Sequence, residues 1–392
     1  MGIGSSFYRH VVKPYYFSKD PEEAHESAKR FLRNEYPAKL MSGYFDYGKD
    51  RLSVNLGGTV KLDGPVGLAA GFDKNGEMLN GLGSIMDYIT VGTMLPYRWE
   101  GNPKTKQVLQ TTVGFSGSEW AGNRQLNVEI NKIETGSRVV RMEKERAINN
   151  CLGFPFAGPE VAFQNLERYS YRVPLNASIA VRPTDDPLHA QERDQLTALI
   201  GTLSYFVGTS IRMVEVNFAS PNTKGLAVFF NGDVFDDMAR CVLDNPGLDG
   251  CLFFLKMPPH TDEQTRERNL RVAARWMELG GDGITAINTL RTEDQRLSMG
   301  VGGKSGKPIY PILKGNLKDY NDNIGNRKPI INAAGGIWPE NVPELMIEHR
   351  VNTVQLFTSI MYEGFAVVRD AKAALLRAMD SYGIDRLEQI RR

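Results

Sequence analysis

Met213-Val214-Glu215-Val216-Asn217-Phe218-Ala219-Ser220-Pro221-Asn222-Thr223 changes character halfway along its length. It starts as the short apolar run of a buried strand. It then delivers the carboxamides of Asn217 and Asn222 and the hydroxyls of Ser220 and Thr223, more hydrogen-bonding capacity than the end of a core strand needs. Pro221 fixes its own φ and has no N–H to give a ladder, so the strand stops and its polar residues are held at the tip. In isolation the segment reads equally well as an Asn/Ser/Pro turn with no chemistry.

The same unit, a short apolar run ending in polar residues, recurs along the chain. Strands are expected at Val66–Phe72, Tyr88–Met94, Leu175–Val181, Met213–Phe218, Leu252–Met257, Gly283–Asn288, Pro329–Ala334 and Thr353–Thr358, with helical patterns at 75–85, 187–207, 232–243, 262–279, 338–349 and 364–381. Strands that alternate with helices pair in parallel, and this number of them matches a (β/α)8 TIM barrel, whose functional residues gather at the carboxyl ends of the strands. A doubly wound open sheet would call for Gly-x-Gly-x-x-Gly after an early strand, and none stands there.

Two regions fall outside the repeat. Residues 1–45 read as an appended helical element, with Tyr8, Val11, Val12, Tyr15, Tyr16 and Phe17 preceding the helix start at Asp20-Pro21-Glu22. Residues 46–392 then form the barrel. Between its second and third strands, positions 97–173 far exceed the ~2 to 6 residues of an ordinary βα loop. Within them an insertion at about 105–136 is expected to be a hairpin-like excursion beside the mouth, with Phe115 and Trp120 available for a subunit contact or a lid.

Composition narrows the function. Forty-seven basic residues against 46 acidic ones leave no electrostatic grip for nucleic acid. Cys151, Cys241 and Cys251 lack metal-ligand spacing, and none of the five histidines sits beside a nucleophile, so no metal site and no His-centred hydrolase is expected. The longest apolar runs fall short of the roughly 18 to 20 residues needed to span a bilayer.

Polar residues stand just past several strands: Lys74 after the first, Asn217 and Ser220 after the fourth, Lys256 at the end of the fifth, and Asn288 with Thr289 at the sixth. Singly, each is ordinary, a solvated lysine or a turn-capping asparagine. Converging on one barrel mouth, they describe a cationic, carboxamide-rich pocket. Gly302-Gly303-Lys304-Ser305-Gly306 and Ala334-Gly335-Gly336 allow backbone N–H groups close to an anion, the second at the strand where barrels often bind phosphate, with Phe357 and Thr358 adjoining.

With these pieces in place the chain resembles the class 2, quinone-dependent dihydroorotate dehydrogenases over nearly its whole length. The resemblance rests on Asp20-Pro21-Glu22-Glu23-Ala24-His25, Gly67 to Gly76, Glu100-Gly101-Asn102-Pro103, Asn217 to Thr223, Ile287-Asn288-Thr289, Lys304 to Pro308, Gly335-Gly336 and Val354-Gln355-Leu356. Asn150-Cys151-Leu152-Gly153-Phe154, approached by Arg138-Val139-Val140-Arg141, is taken as the family's remaining substrate motif.

The resemblance implies oxidation of dihydroorotate to orotate with bound FMN and a membrane quinone, in pyrimidine biosynthesis. It implies Ser220 as catalytic base, with Thr223, Phe154 and a water as proton relay. Lys74, Asn150, Gly153, Phe154, Asn217, Asn222, Asn288 and Thr289 would bind substrate. Ala70, Gly71, Lys74, Thr93, Ser178, Asn217, Lys256, Ser305, Gly306, Gly335, Gly336, Phe357 and Thr358 would line FMN, and His25 and Arg141 the quinone side. It further implies peripheral attachment to the cytoplasmic side of the cell membrane, or to the mitochondrial inner membrane in a eukaryote. Departures stand at the third strand, where Ser178 replaces an asparagine although Asn176 shares its face, and at Pro155 and Phe156. They leave as alternatives an FMN-dependent paralogue acting on another cyclic amide and a flavin-free, phosphate-binding barrel lyase or isomerase. Oligomeric state is not legible.

Overall fold

The computed structural model describes residues 6–34, 42–108, 114–116, 125–127, 132–170, 172–186, 188–324 and 328–391. A closed barrel of parallel strands forms its centre: β1 (Val66–Asp73), β2 (Tyr88–Met94), β3 (Leu175–Ile179), β4 (Ile211–Val216), β5 (Leu252–Met257), β6 (Gly283–Ala286), β7 (Ile330–Ala334) and β8 (Thr353–Leu356). β8 closes on β1, with Val354 opposite Val66 and Leu356 opposite Leu68. Helices cover the outside, so a strand such as β2 is buried at every residue and its sequence runs apolar without alternation. The observed strands end a little before the expected ones at β4, β6 and β8. Asn217, Asn288, Phe357 and Thr358 therefore stand just beyond strand tips.

Helices Ala190–Leu203, Gly232–Leu243, Glu263–Glu278 and Ala366–Ser381 lie where helical periodicity placed them. The helix expected over 75–85 shrinks to Leu79–Leu82, because the buried Asp73 carboxylate accepts from the backbone N–H groups of Glu77 (2.9 Å) and Met78 (2.8 Å) and turns the chain. The 338–349 pattern divides into a 3-10 turn, Pro339–Asn341, and a π-turn, Glu344–Glu348. Helix Tyr310–Asn323 was not expected; it carries Pro311 in its first turn and buries Leu313, Leu317 and Tyr320.

A four-stranded antiparallel sheet stands beside the barrel mouth, in the order Leu290–Glu293, Val301–Gly306, Ala147–Asn150, Val139–Met142. The glycine run expected as an anion loop is thus one of its strands, Gly303 opposite Asn150 and Gly306 opposite Ala147. In the insertion, Thr105–Val108 pairs antiparallel with Lys132–Thr135, and Gly114–Ser116 with Gln125–Asn127. Trp120 and the side chain of Phe115 lie outside what is described.

The first 45 residues are not one unit. Helix Pro21–Arg33 is capped by Asp20, whose carboxylate accepts from the N–H of Glu22 at 2.9 Å, and its Leu32 belongs to the main core, as does Phe45. Gly81 has no room for a Cβ because the Leu32 carbonyl lies against it. Tyr8–Phe17, a π-turn followed by a short α-helix, buries no residue. At the other end of the chain, the buried Lys372 ammonium donates to the Phe45 carbonyl (3.0 Å) and to Asp87 (2.6 Å), and Asp87 also accepts from the N–H of Val66 (3.0 Å). The last helix therefore locks the start of β1, and losing either charge would leave the other buried and unpaired, a cost of about 3 to 5 kcal/mol.

Candidate active site

A cavity of about 610 Å³ opens at the carboxyl ends of the barrel strands. Lys74 and Gly71 enter it from the end of β1, Thr93 from β2, Asn217, Ser220 and Asn222 from beyond β4, and Lys256 from β5. Asn288 and Thr289 follow β6, Gly335 and Gly336 follow β7, and Phe357 and Thr358 follow β8. Asn150, Gly153, Phe154 and Ser305 come from the side sheet and its loop, while Ala70 and His25 complete the expected set that lines it.

Ser178, Gly306 and Arg141 do not line it. Ser178 is buried one layer down, its hydroxyl 3.0 Å from that of Thr93. Gly306 supports rather than faces the cavity: a Cβ on Gly336 would fall 2.7 Å from its carbonyl oxygen. Arg141 turns to the N-terminal segment, donating to the carbonyls of Tyr16 (3.2 Å), Phe17 (3.1 Å) and Lys19 (2.8 Å) and lying over the Phe17 ring.

Hydrogen bonds pre-set the carboxamides. Asn217 donates through Nδ2 to Thr93 (3.0 Å) and accepts at Oδ1 from Asn288 (3.1 Å), whose own Oδ1 accepts from the N–H of Thr289 (2.8 Å). Across the cavity, Asn222 Nδ2 donates to Asn150 Oδ1 (3.0 Å), and Asn150 Nδ2 donates to the Gly303 carbonyl (3.2 Å). Ser220 Oγ accepts from the N–H of Asn222 at 3.3 Å. Two buried oxygens beside it, Asn222 Oδ1 and Thr223 Oγ1, have no partner among the described residues, so they are available to a ligand or a water.

Two lysines give the site its charge. Burial, assisted by the charge of Lys29, brings the Lys74 ammonium down to about 8, still mostly protonated at neutral pH. Its neighbour Asp73 is pushed up to about 6 by burial. Lys256 pairs with Glu215 at 3.3 Å, both groups buried, and the second Glu215 oxygen has no partner among the described residues. On the side of helix Pro21–Arg33, the His25 ring meets Phe72 edge to face at 5.7 Å, and Phe72 meets Phe357 at 5.5 Å. Burial, followed by the charges of Lys74 and Lys29, holds His25 down to about 3, so it stays neutral across the physiological range.

Several contributors escaped sequence reasoning. Gln355 reaches the cavity, its buried Oε1 without a partner among the described residues. Trp99 exchanges backbone hydrogen bonds with Phe156 (2.9 and 2.7 Å) and donates from its indole to the Gly153 carbonyl (3.0 Å). Arg138 grips the Glu22 carboxylate. For Arg138 the signal was its place in Arg138-Val139-Val140-Arg141, whose other arginine was chosen instead. For Trp99 it was adjacency to Glu100-Gly101-Asn102-Pro103.

The arrangement suits a small planar anion bearing amides: one cation, four carboxamides and a hydroxyl at one end, aromatic rings at another. The residues also fit a flavin phosphate. Thr358 Oγ1 donates to Ser305 Oγ at 2.9 Å next to the Gly335-Gly336 turn. A Cβ on Gly71 would meet only the Phe357 ring, at 3.7 Å, and otherwise open cavity, at φ +93, so backbone there can lie against a flat ring. Among the described residues no group of three His, Cys, Asp or Glu side chains is placed to hold a metal, and no helix is long and apolar enough to cross a membrane.

The sequence profile of the family described as "Dihydroorotate dehydrogenase" matches residues 134–379. A protein named "Dihydroorotate dehydrogenase (quinone)" from Erythrobacter litoralis is 25% identical over 389 residues, 97% of each chain. One of the same name from Paraburkholderia phymatum is 27% identical over 382 residues, 95% of this chain and 98% of that one. The crystal structure of DHODH from Eimeria tenella in complex with ferulenol superposes with a TM-score of 0.70 at 26% identity, covering 95% of this chain and 94% of that one.

Proposed function

The chain belongs to the dihydroorotate dehydrogenase family, and from that premise we propose that it oxidises dihydroorotate to orotate with bound FMN, passing electrons to a membrane quinone in de novo pyrimidine biosynthesis. One observation carries the reading: Ser220, Lys74 and the carboxamides of Asn150, Asn217, Asn222 and Asn288 meet in one cavity whose other end is lined by Ser305, Gly335, Gly336 and Thr358.

Lys74 pairs with the substrate carboxylate. The four asparagines, with Thr289, Gly153 and Phe154 beside them, match the N–H and C=O groups of the ring, each amide held in one orientation by its neighbour. Ser220 takes the proton from C5. Its oxygen already accepts the N–H of Asn222, which stabilises charge developing there. Thr223 Oγ1, buried and unpartnered among the described residues, offers the next position for that proton, with Phe154 closing the site against bulk water. FMN, when bound between Ala70, Gly71, Thr93, Lys256, Ser305, the Gly335-Gly336 turn, Phe357 and Thr358, supplies the two-electron acceptor for the hydride from C6. The Lys256 cation faces that space and favours a reduced, anionic ring. Ser178 acts on the cofactor only through Thr93, and Gly306 through the Gly336 turn.

This reading puts the quinone on the His25 side, under helix Pro21–Arg33. Phe7, Val11, Tyr15 and Phe31 are exposed on the two N-terminal helical pieces, the composition of a segment that lies in a membrane interface. Peripheral attachment on the cytoplasmic face of the cell membrane, or to the mitochondrial inner membrane in a eukaryote, follows from this reading. Arg141 shapes the segment instead of touching the acceptor.

The test is anaerobic addition of dihydroorotate to the FMN-loaded protein. Bleaching of the visible flavin absorbance, with one orotate formed per flavin, is expected. A flavin-loaded protein that stays yellow, or a protein that takes up no FMN, would sink the reading.

A further inference from the structure

Two loops present the carboxamides: Asn150–Phe154, leaving the side sheet, and Ser220–Thr223, leaving β4. Between them stands Asn102, which does not line the cavity. Its Nδ2 donates to the carbonyl of Cys151 (2.9 Å) and to the carbonyl of Asn222 (2.9 Å), one hydrogen to each loop. Its backbone N–H donates to the Leu152 carbonyl at 2.8 Å, and its carbonyl accepts from Arg138 at 3.2 Å. The carboxamide fits against Gly153, where a Cβ would lie 2.6 Å from it and where φ is +67.

We propose that Asn102 is a positioning residue for the reaction: its carboxamide ties the two substrate loops together and so fixes the gap between Asn150 and Asn222, and with it the place of Ser220. The proposal rests on the reading of the cavity as the dihydroorotate site. The chemistry is specific to an amide. Two carbonyl oxygens converge on one NH2 group, so a carboxylate of the same shape would face them with no proton to give and with like charge. Arg138 steadies the arrangement from behind, since it also binds the Glu100 carbonyl (2.9 Å) and the Glu22 carboxylate.

The experiment compares the full-length, FMN-loaded parent with Asn102→Ala and Asn102→Asp, titrating orotate by its perturbation of the flavin spectrum and recording Tm, flavin midpoint potential and the kcat and KM of dihydroorotate oxidation. Asn102→Ala should weaken orotate roughly 5- to 10-fold and Asn102→Asp, though isosteric, by roughly 100-fold, with KM for dihydroorotate rising in the same order and the midpoint potential unchanged. A purely steric role makes the aspartate variant equal to the parent, and that result, or parental orotate affinity in both variants, would overturn the proposal. If Asn102→Asp does not load FMN, the alanine variant alone decides: parental affinity overturns, a 5-fold loss or more supports. A parent that binds no orotate would overturn the dihydroorotate reading itself, and this inference with it.

Discussion

The two sides of the cavity are built by opposite means. On the substrate side, every carboxamide is bonded to another group of the barrel or its side sheet, and among the described residues none of these carboxamide hydrogen bonds reaches the chain before residue 93. Beyond helix Pro21–Arg33, on the side proposed for the acceptor, Tyr8–Phe17 lines no part of the cavity, buries nothing and is held from its rim: the Tyr8 hydroxyl donates to the Met361 carbonyl (3.0 Å), Arg9 pairs with Glu363 (2.8 Å), Phe17 meets Tyr362 edge to face (5.3 Å) and Arg141 holds three carbonyls. The neutral contacts among these contribute about 1 kcal/mol each, and the one to the buried Glu363 carboxylate about 1.5 to 3 kcal/mol. The carboxamide network therefore rests on the barrel and its side sheet, whereas Tyr8–Phe17 can be loosened or removed without breaking any of that network's hydrogen bonds.

The sharpest break between the sides should come from Ser220→Ala. Stopped-flow flavin reduction is expected to slow by roughly 100- to 10,000-fold while FMN stays bound and chemically reduced enzyme still passes electrons to quinone. A near-parental reduction rate would remove Ser220 from the chemistry. The converse experiment deletes residues 1–19 and keeps helix Pro21–Arg33, because Leu32 is part of the core. Turnover with a long-chain quinone in vesicles should fall roughly 10- to 100-fold through lost local concentration, with flavin reduction by dihydroorotate intact. Equal loss in both half-reactions would erase the distinction drawn above.

Acidity separates the sides as well. With the free Lys74 ammonium at about 8, its cation is present below that value and lost above it, so KM for dihydroorotate should climb by up to about tenfold per pH unit above 8 while KM for quinone stays level. A flat dihydroorotate profile to pH 9.5 would show that Lys74 does not hold the carboxylate. The smallest effect is expected from Glu363→Gln. Glu363 is buried between Arg9 and Arg146, both partly exposed. Its loss should raise the quinone KM by roughly 2- to 5-fold and leave dihydroorotate kinetics alone.

The barrel was legible because parallel strands covered on both faces must be apolar along their length, and runs such as Tyr88–Met94 have no competing explanation. Helix Tyr310–Asn323 was hidden by its own composition: Pro311, Gly315 and a polar tail blur the 3.6-residue period, and packing of Leu313 and Leu317 supplies what propensity lacks. Strand Val301–Gly306 was hidden for the same reason in reverse, since Gly302, Gly303, Ser305 and Gly306, four of its six residues, are glycine or serine and only the ladders to Ala147–Asn150 and Leu290–Glu293 make it a strand. At the site, residues at strand tips were placed by periodicity, but the inward or outward turn of Ser178 and Arg141 depends on partners far away in sequence. Asn102 bonds to carbonyls, and carbonyls leave no trace in a sequence.

The closure of β8 on β1, locked by Lys372 against Asp87 and the Phe45 carbonyl, sets an order of events during synthesis. β1 and the aromatic N-terminal segment leave the ribosome on the order of tens of seconds before Thr353–Lys372. Throughout that interval β1 has an open edge and the segment that carries Phe7, Val11 and Tyr15 has no Met361, Glu363 or Tyr362 to dock on. The growing chain therefore carries an unpaired edge on β1 and an undocked aromatic segment until Thr353–Lys372 has emerged, so closure of the barrel and docking of that segment are both late steps.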